Sequence, residues 1–183
     1  MANCIYSNKF KNQDQYYTPK DVWEVVSHLF PKDKVVWEAC MLDAVKSTSP
    51  QILNELGCKE VIYHTELDCI TQLPTQDWDM IITNIPFSNV LKKQILQRFV
   101  ELDKPFLIIL NSLNIYTKYI REIFGDNLKH LQVIQPYGKL QFIELLEDQS
   151  LKRKGNCSFY CCFLAYKMNL DNKDLWLLKG KNH

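Results

Sequence analysis

The distribution of apolar residues predicts an α/β fold, a mostly parallel sheet with helices on both faces. Short apolar runs alternate along the chain with segments of helical spacing, the mark of strand–helix–strand units. One run, Pro105–Leu110 (PFLIIL), is apolar throughout rather than alternating, as a strand buried on both faces must be. A third observation points to the functional end of the sheet. Within Trp78–Ser88 (WDMIITNIPFS), the apolar, β-branched run Asp79–Thr83 reads as a buried strand that delivers an amide, Asn84, to its carboxyl end. That end is where open α/β sheets bind ligands.

A chain of 183 residues is one domain with room for a proper core, so 1–183 is expected to fold as a unit, with 1–15 and 169–183 peripheral. No apolar run reaches transmembrane length and the N-terminus lacks a signal-peptide pattern, so a soluble, intracellular protein without membrane contact is expected. The seven cysteines are odd in number and form no CxxC pairs. Buried free thiols in a reducing compartment explain them better than disulfides or zinc, and no metal is expected. A net charge of +1 shows no strong electrostatic footprint for nucleic acid and counts against tight autonomous DNA binding. The balance is uneven, however: Lys152-Arg153-Lys154 and the tail lysines leave the C-terminal portion basic.

The first predicted element is a helix. Thr18-Pro19 precedes Val22, Val25, Val26 and Leu29 at helical spacing, which reads as a capped amphipathic helix closed by Pro31 and Lys32-Asp33-Lys34. Val35–Cys40 is the first strand. Ser49-Pro50 with Ile52, Leu53 and Leu56 is a short helix stopped at Gly57. Val61–Thr65, including His64, is the second strand, leading into Glu66 and Asp68. An acid at this point commonly hydrogen-bonds ribose hydroxyls in nucleotide-binding α/β folds. Too few residues separate Asp68 from the central strand for another helix and strand, so the third strand is short or absent and the sheet is trimmed. Val90–Leu102 and Thr117–Phe124 read as helices, the latter ending at Gly125. Leu131–Ile134 and a long segment, Asn156–Lys167, read as further strands.

The chemistry gathers after the central strand. Pro86 fixes its own φ and keeps Ile85 out of the helical region, so the chain stays extended past Asn84. The Asn84 amide oxygen and the Ile85 carbonyl could accept both N–H groups of an exocyclic amine. Phe87 offers a stacking platform, at about 1–3 kcal/mol per base.

These residues carry a family resemblance. WDMIITNIPFS resembles the (D/N/S)PP(Y/F) motif of amino-group DNA methyltransferases in its NPPF form, with Ile85 replacing the first proline. Tyr17, Thr18 and Pro19 match the family's (Y/F)xTP segment, which helps hold the carboxylate end of S-adenosylmethionine. Val35–Cys40 is similar to the family's cofactor strand, written WEPxxGxG. Glu38 stands at its acid and Asp43 at the acid of the loop, whereas Leu42 and Ala44 stand at the glycines. A leucine costs about 1–2 kcal/mol in a left-handed conformation, so this loop either follows another path or binds cofactor weakly or not at all. Lys139-Leu140-Gln141-Phe142 and the strand after Asn156 resemble the C-terminal region of small methyltransferases of phages and large DNA viruses.

The resemblance runs from Tyr16 to Met168. It implies a Rossmann-like class I methyltransferase fold with an antiparallel C-terminal strand, and an S-adenosylmethionine-dependent adenine N6-methyltransferase acting on an extruded base, of DNA rather than RNA. Asn84, Ile85, Pro86 and Phe87 would be catalytic. Tyr17, Thr18, Pro19, Glu38, Asp43, Glu66 and Asp68 would hold the cofactor, with Asp68 reaching its adenine. Phe87 and Lys139 would hold the substrate. The length leaves no room for a target-recognition domain, so specificity would be low, short-range or supplied by a protein partner. Cytosine N4 offers the same chemical handle. The alternative implication is a catalytically silent binding or assembly subunit with a degenerate cofactor loop.

Overall fold

A computed structural model describes residues 16–41, 47–146, 150–153, 159–170 and 175–178. Its elements are β1 (Tyr16–Tyr17), α1 (Lys20–Glu24), β2 (Val35–Glu38), α2 (Ser49–Glu55), β3 (Glu60–Tyr63), β4 (Met80–Asn84), α3 (Asn89–Leu102), β5 (Phe106–Asn111), α4 (Lys118–Phe124), β6 (Leu131–Pro136), β7 (Ile143–Leu145), β8 (Leu151–Arg153), β9 (Cys161–Tyr166) and β10 (Leu175–Leu178). Seven strands form one sheet in the order β10-β6-β9-β5-β4-β2-β3. Strands β3, β2, β4 and β5 run parallel, while β9 lies antiparallel between β5 and β6. The carboxyl ends of β2 to β6 therefore share one edge. Among the described residues no strand stands between β3 and β4, so the sheet is trimmed, and the architecture is the α/β class read from the sequence.

The apolar strands are continuous because both faces are covered. Ile81 belongs to the core beneath α3 and α4, whereas Met80 and Ile82 belong to the core beneath α1 and α2. Phe106 through Leu110 of β5 are all fully buried. Each such side chain contributes about 1.5–3 kcal/mol by leaving water. Strands β1, β7 and β8 make a separate antiparallel sheet that brings Tyr16 and Tyr17 against Ile143 and Glu144.

Several local expectations change. The first helix is only Lys20–Glu24, followed by a 3-10 turn at Ser27–Leu29, and its N-cap position is Pro19 with no side-chain cap. The Thr18 hydroxyl is engaged elsewhere, by Asn84. The second strand ends at Tyr63, so His64 lies beyond it and shares a hydrogen bond with Gln76 (3.2 Å). The last long strand is confined to Cys161–Tyr166, and Asn156–Ser158 lie outside the described residues. The tail, expected to be peripheral, returns as β10 and pairs in parallel with β6 at the sheet's edge. Cys40, Cys58, Cys69, Cys161 and Cys162 are buried. Among the described residues no helix is long and apolar enough to cross a membrane.

Candidate functional site

Asn84 is the last residue of β4. The turn after it is stiff for two reasons. Ile85, only 1% exposed, is anchored in the core with Leu91 and Ile95 of α3, and Pro86 is buried behind it. Lys92, itself buried, donates from Nζ to the Phe87 carbonyl (3.3 Å) and to Asn89 Oδ1 (3.1 Å). The sequence reading missed Lys92. Its signal was there, because 92, 95, 96 and 99 fall on one helical face and the other three are apolar.

The two halves of the Asn84 amide are treated differently. Nδ2 donates to Thr18 Oγ1 at 3.0 Å. Oδ1 is buried and has no hydrogen-bond partner among the described residues. Asn84, Ile85, Pro86 and Phe87 line one cleft with Tyr16, Tyr17, Thr18 and Glu38, and Cys40, Met41, Ser47 and Ser49 complete its wall. The cleft is a slot of about 460 Å³, counting the solvent at its open mouth. Pro19 caps α1 beside it.

Glu38 sits at the floor of the slot, 3% exposed, with a hydroxyl and an amide for company. Thr83 donates its hydroxyl to Glu38 Oε1, and the Cys40 N–H reaches both Thr83 Oγ1 (3.1 Å) and Glu38 Oε1 (3.4 Å). Burial pushes the Glu38 carboxyl up to about 7, with the Thr83 and Cys40 hydrogen bonds opposing it. Next to it Cys40 Sγ lies 3.9 Å from Cys69 Sγ, and burial first, then Cys69, holds the Cys40 thiol well above its ordinary range.

Phe87 is half-buried. Its ring is backed by Tyr16, Phe142 and Phe159, with centroids 5.7, 5.8 and 4.9 Å away, and it still lines the cleft. Lys139 is exposed and rests its Nζ 4.8 Å from the Tyr160 ring centroid. The remaining candidates are not gathered here. The Asp68 carboxylate is buried and accepts from the Ile70 N–H (3.1 Å), closing a local turn. Glu66 lines a separate shallow hollow with His64 and Leu73. Asp43, with Leu42 and Ala44, lies outside the described residues.

No family model matches this sequence, and no curated protein does either. Solved structures do match. A type I restriction-modification methyltransferase subunit from Streptococcus thermophilus superposes with a TM-score of 0.52 at 14% identity, over 91% of this chain and 47% of the subunit. The chain thus spans about half the length of that protein. A proposed RNA methyltransferase from Pyrococcus horikoshii gives 0.49 at 16% identity, over 89% of this chain and 94% of its own. The fold is that of the Rossmann-like class I methyltransferases.

Proposed function

We propose that this protein is an S-adenosylmethionine-dependent methyltransferase of exocyclic amino groups in nucleic acid, with adenine N6 of DNA as the acceptor. The observation that carries this reading is Asn84 Oδ1, a buried acceptor without a partner among the described residues, on an amide whose other end is held by Thr18. An unmet buried acceptor costs about 1–3 kcal/mol, which a substrate N–H would recover. The Ile85 carbonyl would take the second N–H, so that both bonds draw on the amine and make its lone pair available. Phe87, backed by Tyr16, Phe142 and Phe159, would stack on a base extruded from its strand.

Bound S-adenosylmethionine would supply a methyl group already activated on a sulfonium, so no protein nucleophile is required. The donor set suits it. Glu38, Tyr17 and Thr18 line the same slot as the amide, with Pro19 beside them, and Asp43 follows β2 in the sequence. Catalysis by the chain itself would be positioning and exclusion of water, helped by the rigid Ile85–Phe87 turn. Sequence selection would fall to a protein partner. Lys139 would meet the substrate outside the slot.

The slot's narrowness favours a second reading, a methyltransferase-like fold that serves as a binding or assembly subunit. Calorimetric titration with S-adenosylmethionine separates the two. Saturable heat, followed by N6-methyladenine detected by mass spectrometry in a DNA substrate, is the expected result. No heat at millimolar ligand would leave the second reading standing.

A further inference from the structure

A path of rings leads out of the slot along the carboxyl edge of the sheet. Phe87 packs on Phe159, and the next residue, Tyr160, turns outward with 55% of its surface exposed. Lys139 rests on the Tyr160 ring, and two residues earlier Tyr137, directly after β6, is 82% exposed. The 3-10 turn after β5 is tied to the same place, because the Ser112 N–H donates to the Tyr160 carbonyl (2.9 Å). That turn carries Tyr116, 81% exposed. Outward-facing tyrosines on three loops of one edge add nothing to the core, and exposed aromatic faces grouped beside a cleft mark a contact surface.

We propose that Tyr116, Tyr137 and Tyr160 form a stacking surface for the bases flanking the target, so that the acceptor is an unpaired strand of nucleic acid. This rests on the slot being the site of the acceptor base. In a duplex the flanking bases are stacked on each other and offer only their edges, whereas an unpaired strand can lay its π-faces on successive rings. The charge agrees. Duplex binders neutralise many phosphates, but this chain carries a net charge of +1. Near the surface Lys139 lies over Tyr160, and the exposed Arg153 is engaged by Asp21. A few phosphates and several stacked bases fit that inventory.

Fluorescence anisotropy with the full chain and no cofactor tests the proposal apart from catalysis. Loss of S-adenosylmethionine binding would sink the methyltransferase reading without touching this measurement. The probes are a short labelled adenine-containing single strand and a hairpin duplex of the same sequence. The variants are Tyr137→Leu and Tyr160→Leu, both at exposed rings, with thermal melting as the check on folding. The expected result is single-strand binding at least about tenfold tighter than duplex binding, weakened roughly fivefold or more by each variant, with a shallow salt dependence. Equal or tighter duplex binding, no binding of either probe, or unaltered affinity in well-folded tyrosine variants would overturn it. So would loss of binding on Lys139→Ala alone, which would mean phosphate contact without stacking.

Discussion

At Asn84 one end of an amide is spent and the other is kept. Thr18 takes the Nδ2 donor, and this fixes the orientation of the amide, with Oδ1 buried and without a partner among the described residues. Asn84→Ala should therefore lower methyl transfer by at least about a hundredfold, the scale of losing a positioned polar contact in a transition state, while cofactor affinity changes little. Single-turnover transfer and calorimetry measure the two separately, and a fully active variant would remove Asn84 from the mechanism. Glu38 makes a second residue-scale prediction. Its carboxyl is raised to about 7 from an ordinary 4.5 by burial. Below pH 4.5 both folded and unfolded chains hold the proton. Between 4.5 and 7 the unfolded chain ionises first, so stability should fall by about 3 kcal/mol across that window and level off above it. Glu38→Gln should flatten the profile, as urea unfolding at a series of pH values would record.

The turn from Asn84 to Phe87 is the element on which the chemistry depends, and α3 holds it from beneath. Ile85 replaces the first proline of the motif that the sequence resembles, and its place in the core supplies a reason: its side chain packs with α3. Ile85→Ala should cost about 2–5 kcal/mol, seen as a lower urea midpoint with an unchanged slope. Lys92 holds the same turn through the Phe87 carbonyl. Lys92→Met keeps most of the buried volume and removes that donor. Amide hydrogen exchange in the turn should then quicken, while the middle of α3 keeps its protection. Equal exchange in both proteins would mean that Ile85 and Pro86 suffice to hold the turn.

Across the whole molecule the sheet is continuous, and its strands differ in what they hold together. β9 pairs with β5 on one side and β6 on the other, and its six residues are all buried. β10 pairs with β6 at the edge of the sheet. Truncation before residue 175 should leave one cooperative thermal transition at a lower midpoint. Truncation before residue 161 should abolish cooperative unfolding, because two strands then lose their partner and half their cover. Circular dichroism melts of the two truncated proteins distinguish these outcomes. A cooperative melt in the shorter one would mean that β5 and β6 can close on each other.

The pattern of residues by itself determined the α/β class, the trimmed sheet, the buried β5 and the strand that ends in Asn84, because each follows from local periodicity, burial and spacing. It also marked Tyr17, Thr18 and Glu38, although nothing local says that they meet Asn84. Only the tertiary structure decided that meeting, since Thr18 and Asn84 are 66 residues apart and come together through the parallel pairing of β2 with β4 and the packing of α1. It decided too that Thr18 serves the amide rather than the helix cap, that the Asp68 carboxylate closes its own turn, and that Lys92 is buried under the site. A side chain's partner depends on which groups the fold brings within hydrogen-bonding distance, and that is a property of the packed chain.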